Sequence, residues 1–319
     1  MLPGADGLFA SVGRFLKHAG NMSLGMLIID ESGQAIPQSA LGVLYRTKRA
    51  VVVGDPLQVE PVVTIPKVLI DILADSTGVA NEYKVIENSA QTFADNINEF
   101  SGMIGERQVG CPLVVHRRCI EPMFSISNMI SYDNRMFNKT HKKEDYLKQE
   151  QPFLIKKSGW INVEGTENGS KDHFVKNQAE RVCQLLENAL HIYTNLYETD
   201  DKIFIITPFR TVAESMRKFV IGYFSVKGYD KEMLTKWTKN CVGTVHTFQG
   251  KDANEVLFVL GCSDKSVGAM NWVVKKANIL NVACTRAKYR IAFIGNLNDW
   301  KNRRYFREFI PKFIDAIDA

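Results

Sequence analysis

Two short apolar runs, each ending in acid, set the pattern of the first sixty residues: Met26–Ile29 before Asp30 and Glu31, and Ala50–Val53 before Gly54 and Asp55. A continuous run of that length predicts a strand buried on both faces, as in a parallel sheet. Similar runs recur at Ile203–Ile206, Val256–Leu260 and Ile291–Ile294. Between them the spacing turns helical. Pro37–Tyr45 reads as a helix with proline near its start, and Val68, Leu69, Ile72 and Leu73 form a second apolar stripe. Ala179, Val182, Cys183, Leu186, Ala189, Leu190 and Tyr193 form the clearest amphipathic helix. Leu280, Ala283, Cys284 and Ala287 recur at i, i+3, i+4 and i+7, the buried stripe of another. On a 100° wheel Arg286 points away from that stripe, which predicts a side chain free to leave the core. Weaker helical patterns lie around Leu8–His18 and at Phe306, Phe309, Ile310, Phe313, Ile314 and Ile317, with Pro311 marking a kink or a start.

Strands alternating with helices predict an α/β fold with parallel sheets. Gly102, Gly105 and Gly110 mark loops, and Gly110-Cys111-Pro112 is the expected boundary between a domain of residues 1–110 and one of 111–319. The charged stretch 138–150 reads as a surface loop.

Composition narrows the class. At 319 residues, 45% hydrophobic and 24% charged, the chain suits two ordinary globular domains. No apolar run reaches the ~18–20 residues of a membrane span, and the first residues lack the pattern of a secretory signal. None of the six cysteines forms a Cys-x-x-Cys pair. That favours a reducing, cytoplasmic setting and indicates neither zinc nor disulfides. The net charge of +5 is compatible with nucleic acid as a partner.

In doubly wound sheets the ligand lies beyond the carboxyl ends of the strands. Asp30 and Glu31 leave the first strand at that level, and Asp55 and Gln58 leave the second. Their context, Asp30-Glu31-Ser32-Gly33-Gln34 and Gly54-Asp55-Pro56-Leu57-Gln58-Val59-Glu60-Pro61, resembles motifs II and III of superfamily 1 helicases, in the branch that includes the nonsense-mediated-decay helicase. Ser32 stands where that branch has alanine. Leu113–Phe124 resembles motif IV, with Arg118 on the motif arginine and Arg117 in place of a tyrosine. Thr207-Pro208-Phe209-Arg210 resembles a segment facing the nucleic acid. Cys241–Asp252 resembles motif V, with His246 for an aspartate and Asp252 for a glutamate. Ala277–Lys288 is similar to motif VI, Asn-Val-Ala-x-Thr-Arg-Ala.

The resemblance implies two RecA-like P-loop NTPase-type domains holding ATP and Mg²⁺ between them, with single-stranded DNA or RNA crossing above. It assigns Asp30 to Mg²⁺, Glu31 to the attacking water, Gln58 to the γ-phosphate, and Arg118 and Arg286 to a cationic clamp. Phosphoryl transfer is accelerated largely by such positioning and charge. It gives Arg117 to base stacking and Gln249, Gly250 and Asp252 to the nucleotide. Thr207, Pro208, Phe209, Arg210, Thr244 and His246 fall to the nucleic acid. No Gly-x-x-x-x-Gly-Lys-Ser/Thr occurs in the sequence, so the lysine-bearing phosphate cradle is missing. The expectation is the C-terminal part of a longer ancestor, its first domain truncated, with a P-loop-containing N-terminal segment or chain as a further partner. A non-hydrolysing nucleic-acid-binding or regulatory remnant is the other reading.

Overall fold

The computed structural model describes residues 7, 9–86, 88–105, 107–140, 153–167, 169, 172–190, 196–200 and 202–311. They form two compact units, residues 1–113 and 114–319. Tyr193, most of the 138–150 stretch and the last three apolar positions of the tail lie outside the described residues.

The first unit runs α1 (Phe9–Phe15), β1 (Leu27–Ile29), α2 (Pro37–Leu44), β2 (Ala50–Val52), α3 (Lys67–Thr77), α4 (Ala90–Ile97) and a hairpin of β3 (Gly102–Ile104) and β4 (Arg107–Val109). Pro37 opens α2, where its missing N–H costs nothing. Ser89 caps α4 in a reciprocal box with Thr92. β1 and β2 pair in parallel, Leu27 opposite Ala50 and Ile29 opposite Val52. Ile29, Ala40 and Ala90 make a small core, against which Phe9, Leu27, Leu44 and Val52 pack.

Burial on both faces is not what these two strands show. Ile28 is 68% exposed and Val51 46%. A two-stranded sheet covered on one side leaves its other face open, and in β2 both Ala50 and Val51 are exposed, so the apolar run reflects composition rather than depth. α3 departs from expectation in the same way. The helix is present, but it buries Ile70 and Ala74 while Val68, Leu69, Ile72 and Leu73 lie exposed.

The second unit begins with β5 (Val115–His116), α5 (Met123–Ser131) and β6 (Phe137–Asn138). It continues through β7 (Gly159–Asn162), α6 (Lys176–Leu190), β8 (Ile203–Thr207), α7 (Arg210–Ser225), α8 (Lys231–Cys241) and β9 (Val242–Thr244). β10 (Ala253–Val259), α9 (Val267–Val273), α10 (Asn278–Arg286) and β11 (Ala287–Gly295) follow, with two single-turn helices after them. Five strands form one sheet in the order β7-β11-β10-β8-β9, every neighbouring pair parallel. Parallel neighbours need crossovers, and the long helices supply them. Ala179, Val182, Cys183, Leu186 and Ala189 of α6 face the core, as do Val212, Met216, Val220 and Phe224 of α7. The second unit is thus an α/β arrangement built on one five-stranded parallel sheet. No described helix is long and apolar enough to cross a membrane.

One acid sits inside this sheet. Glu255 of β10 is 1% exposed, and its carboxylate accepts hydrogen bonds from the N–H groups of Leu154 and Ile155, both at 2.7 Å. Arg290 closes the arrangement by donating to the Ile155 carbonyl. Burial pushes the Glu255 carboxyl up from its ordinary 4.5 to about 7, against the two N–H donors and the Arg290 charge. A folded-state value above the unfolded one means that the native protein binds the extra proton. The contribution is therefore fully present below about pH 4.5 and is lost as pH rises through about 7. Denaturant unfolding should show a loss on the order of 3 kcal/mol across that window, and Glu255→Gln should remove this slope. An unchanged slope in Glu255→Gln would contradict the assignment.

Candidate functional site

In the first unit, the chain leaving β1 turns at Asp30, whose Oδ1 accepts the Glu31 N–H at 2.8 Å. Glu31 has φ +51°, a left-handed conformation that costs a residue bearing a Cβ. Its Oε2 accepts from Gln34 Nε2 at 3.1 Å. The chain leaving β2 turns at Asp55, which accepts from Leu57 N and from Gln58 Nε2, both at 2.9 Å. The structure therefore links Gln58 to Asp55 and sets both beside the Asp30–Glu31 loop.

Two glycines make this approach possible. A Cβ on Gly33 would lie 2.7 Å from the Asp55 carbonyl oxygen, and one on Gly54 would lie 2.6 Å from Gly33 N. Ser32 fastens the loops, donating from its backbone N–H and its hydroxyl to the Val53 carbonyl at 3.0 and 2.8 Å. Its Oγ also stands 2.6 Å from Gln91 Oε1. Gln91 donates to Asp95 at 2.8 Å, and Asp95 accepts the Gly110 N–H at 3.1 Å. Gln91 and Asp95 are buried, and the sequence reading missed both, because lone polar residues in a short helix look like its wet face. Asp30 and Glu31 expose carboxylate oxygens at the carboxyl end of a parallel strand pair, a donor set that fits a hard cation such as Mg²⁺.

In the second unit, a cationic cluster gathers at the amino ends of β10 and β11. Asp252, just before β10, meets Lys288 Nζ at 2.6 Å and Arg118 Nε at 3.8 Å. The Lys288 carbonyl accepts the Ile120 N–H at 3.1 Å, tying the Arg118 segment to the start of β11. Lys288 carried no role in the sequence reading; the present pairing commits Asp252 to two cations. Arg117 is exposed beside Arg118. α5 is fixed to α10 by buried polar contacts, Ser127 Oγ to Asn281 Oδ1 at 2.5 Å and Asn281 Nδ2 to Tyr132 at 2.9 Å.

Arg286 is not free to leave the core. It is 0% exposed, and the helix around it, Leu280 to Arg286, is buried on every side. A wheel divides a helix into wet and dry faces only when one face is wet, so the sequence argument fails for α10. The guanidinium donates through Nη1 to the carbonyls of Lys251 at 3.0 Å and Phe248 at 3.3 Å, and through Nη2 to Thr285 Oγ1 at 3.3 Å. It thus clasps the turn bearing Gln249 and Gly250, the latter at φ +75°. The expected freedom of this side chain to leave the core is therefore wrong, and Arg286 is part of the packing of the second unit.

Thr207 and Thr244 stand opposite each other at the carboxyl ends of β8 and β9. Thr207 and Pro208 are buried, so they shape this surface without offering their side chains to it. Phe209 is half-buried, its ring 4.8 Å from His173 and 5.7 Å from Trp272. Arg210, with its side chain 89% exposed, pairs with Glu214 at 2.9 Å. His246 is exposed, and Thr244 lies 3.3 Å from Thr247 through their hydroxyls. The segment from Thr244 to Asp252 joins the two ends of the sheet, with Phe248 stacked 4.3 Å from Phe204.

Residues 100–298 match the family described as AAA domain. The chain is 24% identical over 301 residues to the "Uncharacterized ATP-dependent helicase MJ0104" of Methanocaldococcus jannaschii, covering 89% of this chain and 38% of that protein. "Helicase sen1" of Schizosaccharomyces pombe is 24% identical, with 88% of this chain and 15% of that one covered. "ATP-dependent helicase NAM7" of Saccharomyces cerevisiae is 23% identical, at 85% and 25%. The chain thus spans less than two fifths of the length of these relatives. A solved arterivirus nonstructural protein 10 (helicase) in complex with DNA is 13% identical with a TM-score of 0.37, covering 87% of this chain and 40% of that one. That likeness is too loose to carry an argument. The family match over most of the chain, together with these relatives, shows that the chain belongs to the AAA domain family, among superfamily 1 helicases of the Upf1/Sen1 branch.

Proposed function

We propose that the chain is part of an ATP-dependent nucleic-acid helicase or translocase, coupling ATP hydrolysis to movement on single-stranded DNA or RNA. The observation that carries this reading is the junction of the Asp30–Glu31 and Asp55–Gln58 loops at the carboxyl end of β1 and β2. Asp30 would hold Mg²⁺, which neutralises phosphate charge when bound, and Glu31 orients the attacking water and takes its proton. Gln58, held by Asp55, reports on the γ-phosphate. Arg118 supplies cationic charge with Lys288 beside it, and Arg286 acts from beneath the Gln249–Gly250 turn it clasps. Arg117 offers a planar guanidinium for stacking on a base. The backbone cradle for the other phosphates comes from a P-loop-containing segment, in the same polypeptide or a second one. The six free thiols suit a reducing, cytoplasmic setting.

The missing Gly-x-x-x-x-Gly-Lys-Ser/Thr favours one other reading, a nucleic-acid-binding remnant that does not hydrolyse ATP. Both readings place single strands on the surface of Phe209, Arg210, Thr244 and His246. Fluorescence anisotropy with a labelled oligonucleotide should show sequence-independent binding that weakens steeply as salt rises, because phosphate contacts release counterions. Arg210→Ala should lower the salt slope by about one contact. Absence of binding at low salt would remove this surface from the proposal. Binding that never responds to ATP, even with a P-loop segment supplied, would select the remnant.

A further inference from the structure

A third group of side chains lies apart from the cationic cluster, where β7 and β10 run out at their carboxyl ends. Glu167, His173 and Cys262 each place one donor atom there, all within 4.8 Å of one another. Topology makes the meeting. The Glu167 backbone bridges Val175, and the His173 carbonyl accepts the Cys262 N–H at 2.9 Å. His173, Gly261 and Cys262 have φ values of +55°, +62° and +59°. Glycine takes that conformation freely; the histidine and the cysteine do so at a cost. A Cβ on Gly261 would lie 2.6 Å from the His173 carbonyl oxygen, so the two loops are pressed together.

The Glu167 side chain is 3% exposed. Its Oε1 accepts from Ser263 N at 2.8 Å, and its Oε2 accepts from Ser266 Oγ at 2.9 Å and faces His173 Nδ1 at 3.1 Å. Those bonds alone would explain a carboxylate that ties two loops. They do not explain why a thiol completes the ring of donors from a left-handed backbone position. A shared ion does. Nitrogen and oxygen ligands at about 2.0–2.2 Å from a tetrahedral centre lie roughly 3.3 Å apart, close to the Glu167–His173 spacing. Imidazole, thiolate and carboxylate together suit a borderline-soft divalent ion and not Mg²⁺ or Ca²⁺. Two anionic ligands and a neutral one balance its charge. The cysteine spacing in sequence gave no hint of this, since no two of the donors form a recognisable ligand pair.

We propose that Glu167, His173 and Cys262 form a three-ligand site for a divalent transition ion of the zinc class, with water or the Ser266 hydroxyl in the fourth position. The ion would pin the Gly261–Ser266 loop to the segment carrying His173. The His173 ring lies 4.8 Å from that of Phe209, and Thr211 Oγ1 donates to the Asp172 carbonyl at 2.8 Å. Loading the site would therefore stiffen the start of α7, where Arg210 projects.

Cobalt(II) added to the chelator-treated 319-residue chain is the direct probe. One equivalent should bind, with a thiolate-to-cobalt charge-transfer band and the visible bands of a tetrahedral centre, and Zn²⁺ should displace it. Cys262→Ser should abolish the charge-transfer band. Glu167→Gln and His173→Asn should each weaken binding at least tenfold while circular dichroism stays that of the parent; asparagine tolerates the left-handed backbone at 173. Failure of the parent to bind, or undiminished binding in folded His173→Asn and Cys262→Ser variants, would overturn the site.

Discussion

Arg286→Ala is expected to destabilise the second unit by at least about 3 kcal/mol, with a correspondingly lower denaturant midpoint. The change removes a fully buried guanidinium and leaves the buried Phe248 carbonyl and the part-buried Lys251 carbonyl without that donor. Each buried polar group deprived of its partner costs about 1–3 kcal/mol, and the vacated volume adds a cavity term. Arg286→Lys should recover part of the loss, because an ammonium keeps the charge but cannot serve two carbonyls and a hydroxyl with a planar fork. Arg286→Met should be milder than alanine, since it refills the space. Equilibrium unfolding in urea checks all three. An Arg286→Ala protein within about 0.5 kcal/mol of the parent would show that the clasp on the Gln249–Gly250 turn is not structural. Any loss of turnover in such variants has to be read against this loss of fold, a separation that the helical wheel did not foresee.

What was legible in the sequence depended on how many neighbours a segment has. β8, β10 and β11 lie in the middle of a five-stranded sheet or beside its centre, where unbroken apolar runs and double-sided burial go together. β1 and β2 carry the same kind of run, yet Ile28 and Val51 face outward, because periodicity cannot count the layers that will cover a strand. The apolar stripe of α6 was read correctly since its other face is wet, whereas α10 has no wet face. Motifs singled out the acid loops and the arginines, though not the burial of Arg286. Their supports were not: Gln91 reaches Ser32, and Lys288 reaches Asp252, through folding alone. Glu255 precedes the apolar run Val256–Leu260, and nothing in the sequence tells that the N–H groups of Leu154 and Ile155 point at it.

The second large effect expected is on turnover. Glu31→Gln keeps the size of the side chain and leaves the Asp30 contact to the Glu31 backbone N–H in place. On the proposed reading it removes the group that takes a proton from water, an effect typically worth about 10²–10⁴ in rate, or roughly 3–5 kcal/mol of barrier. ATP binding should change much less, because an amide neither repels the phosphates nor disturbs the Asp55–Gln58 pair. The measurement that bears most directly on the helicase reading is single-strand-stimulated phosphate release by the chain joined to a P-loop-bearing segment, comparing the parent with Glu31→Gln. The parent should release phosphate in response to the strand, and Glu31→Gln should lose at least a hundredfold in rate while still binding ATP. Turnover within about threefold of the parent in a normally folded Glu31→Gln protein would contradict the assignment of these loops to ATP hydrolysis.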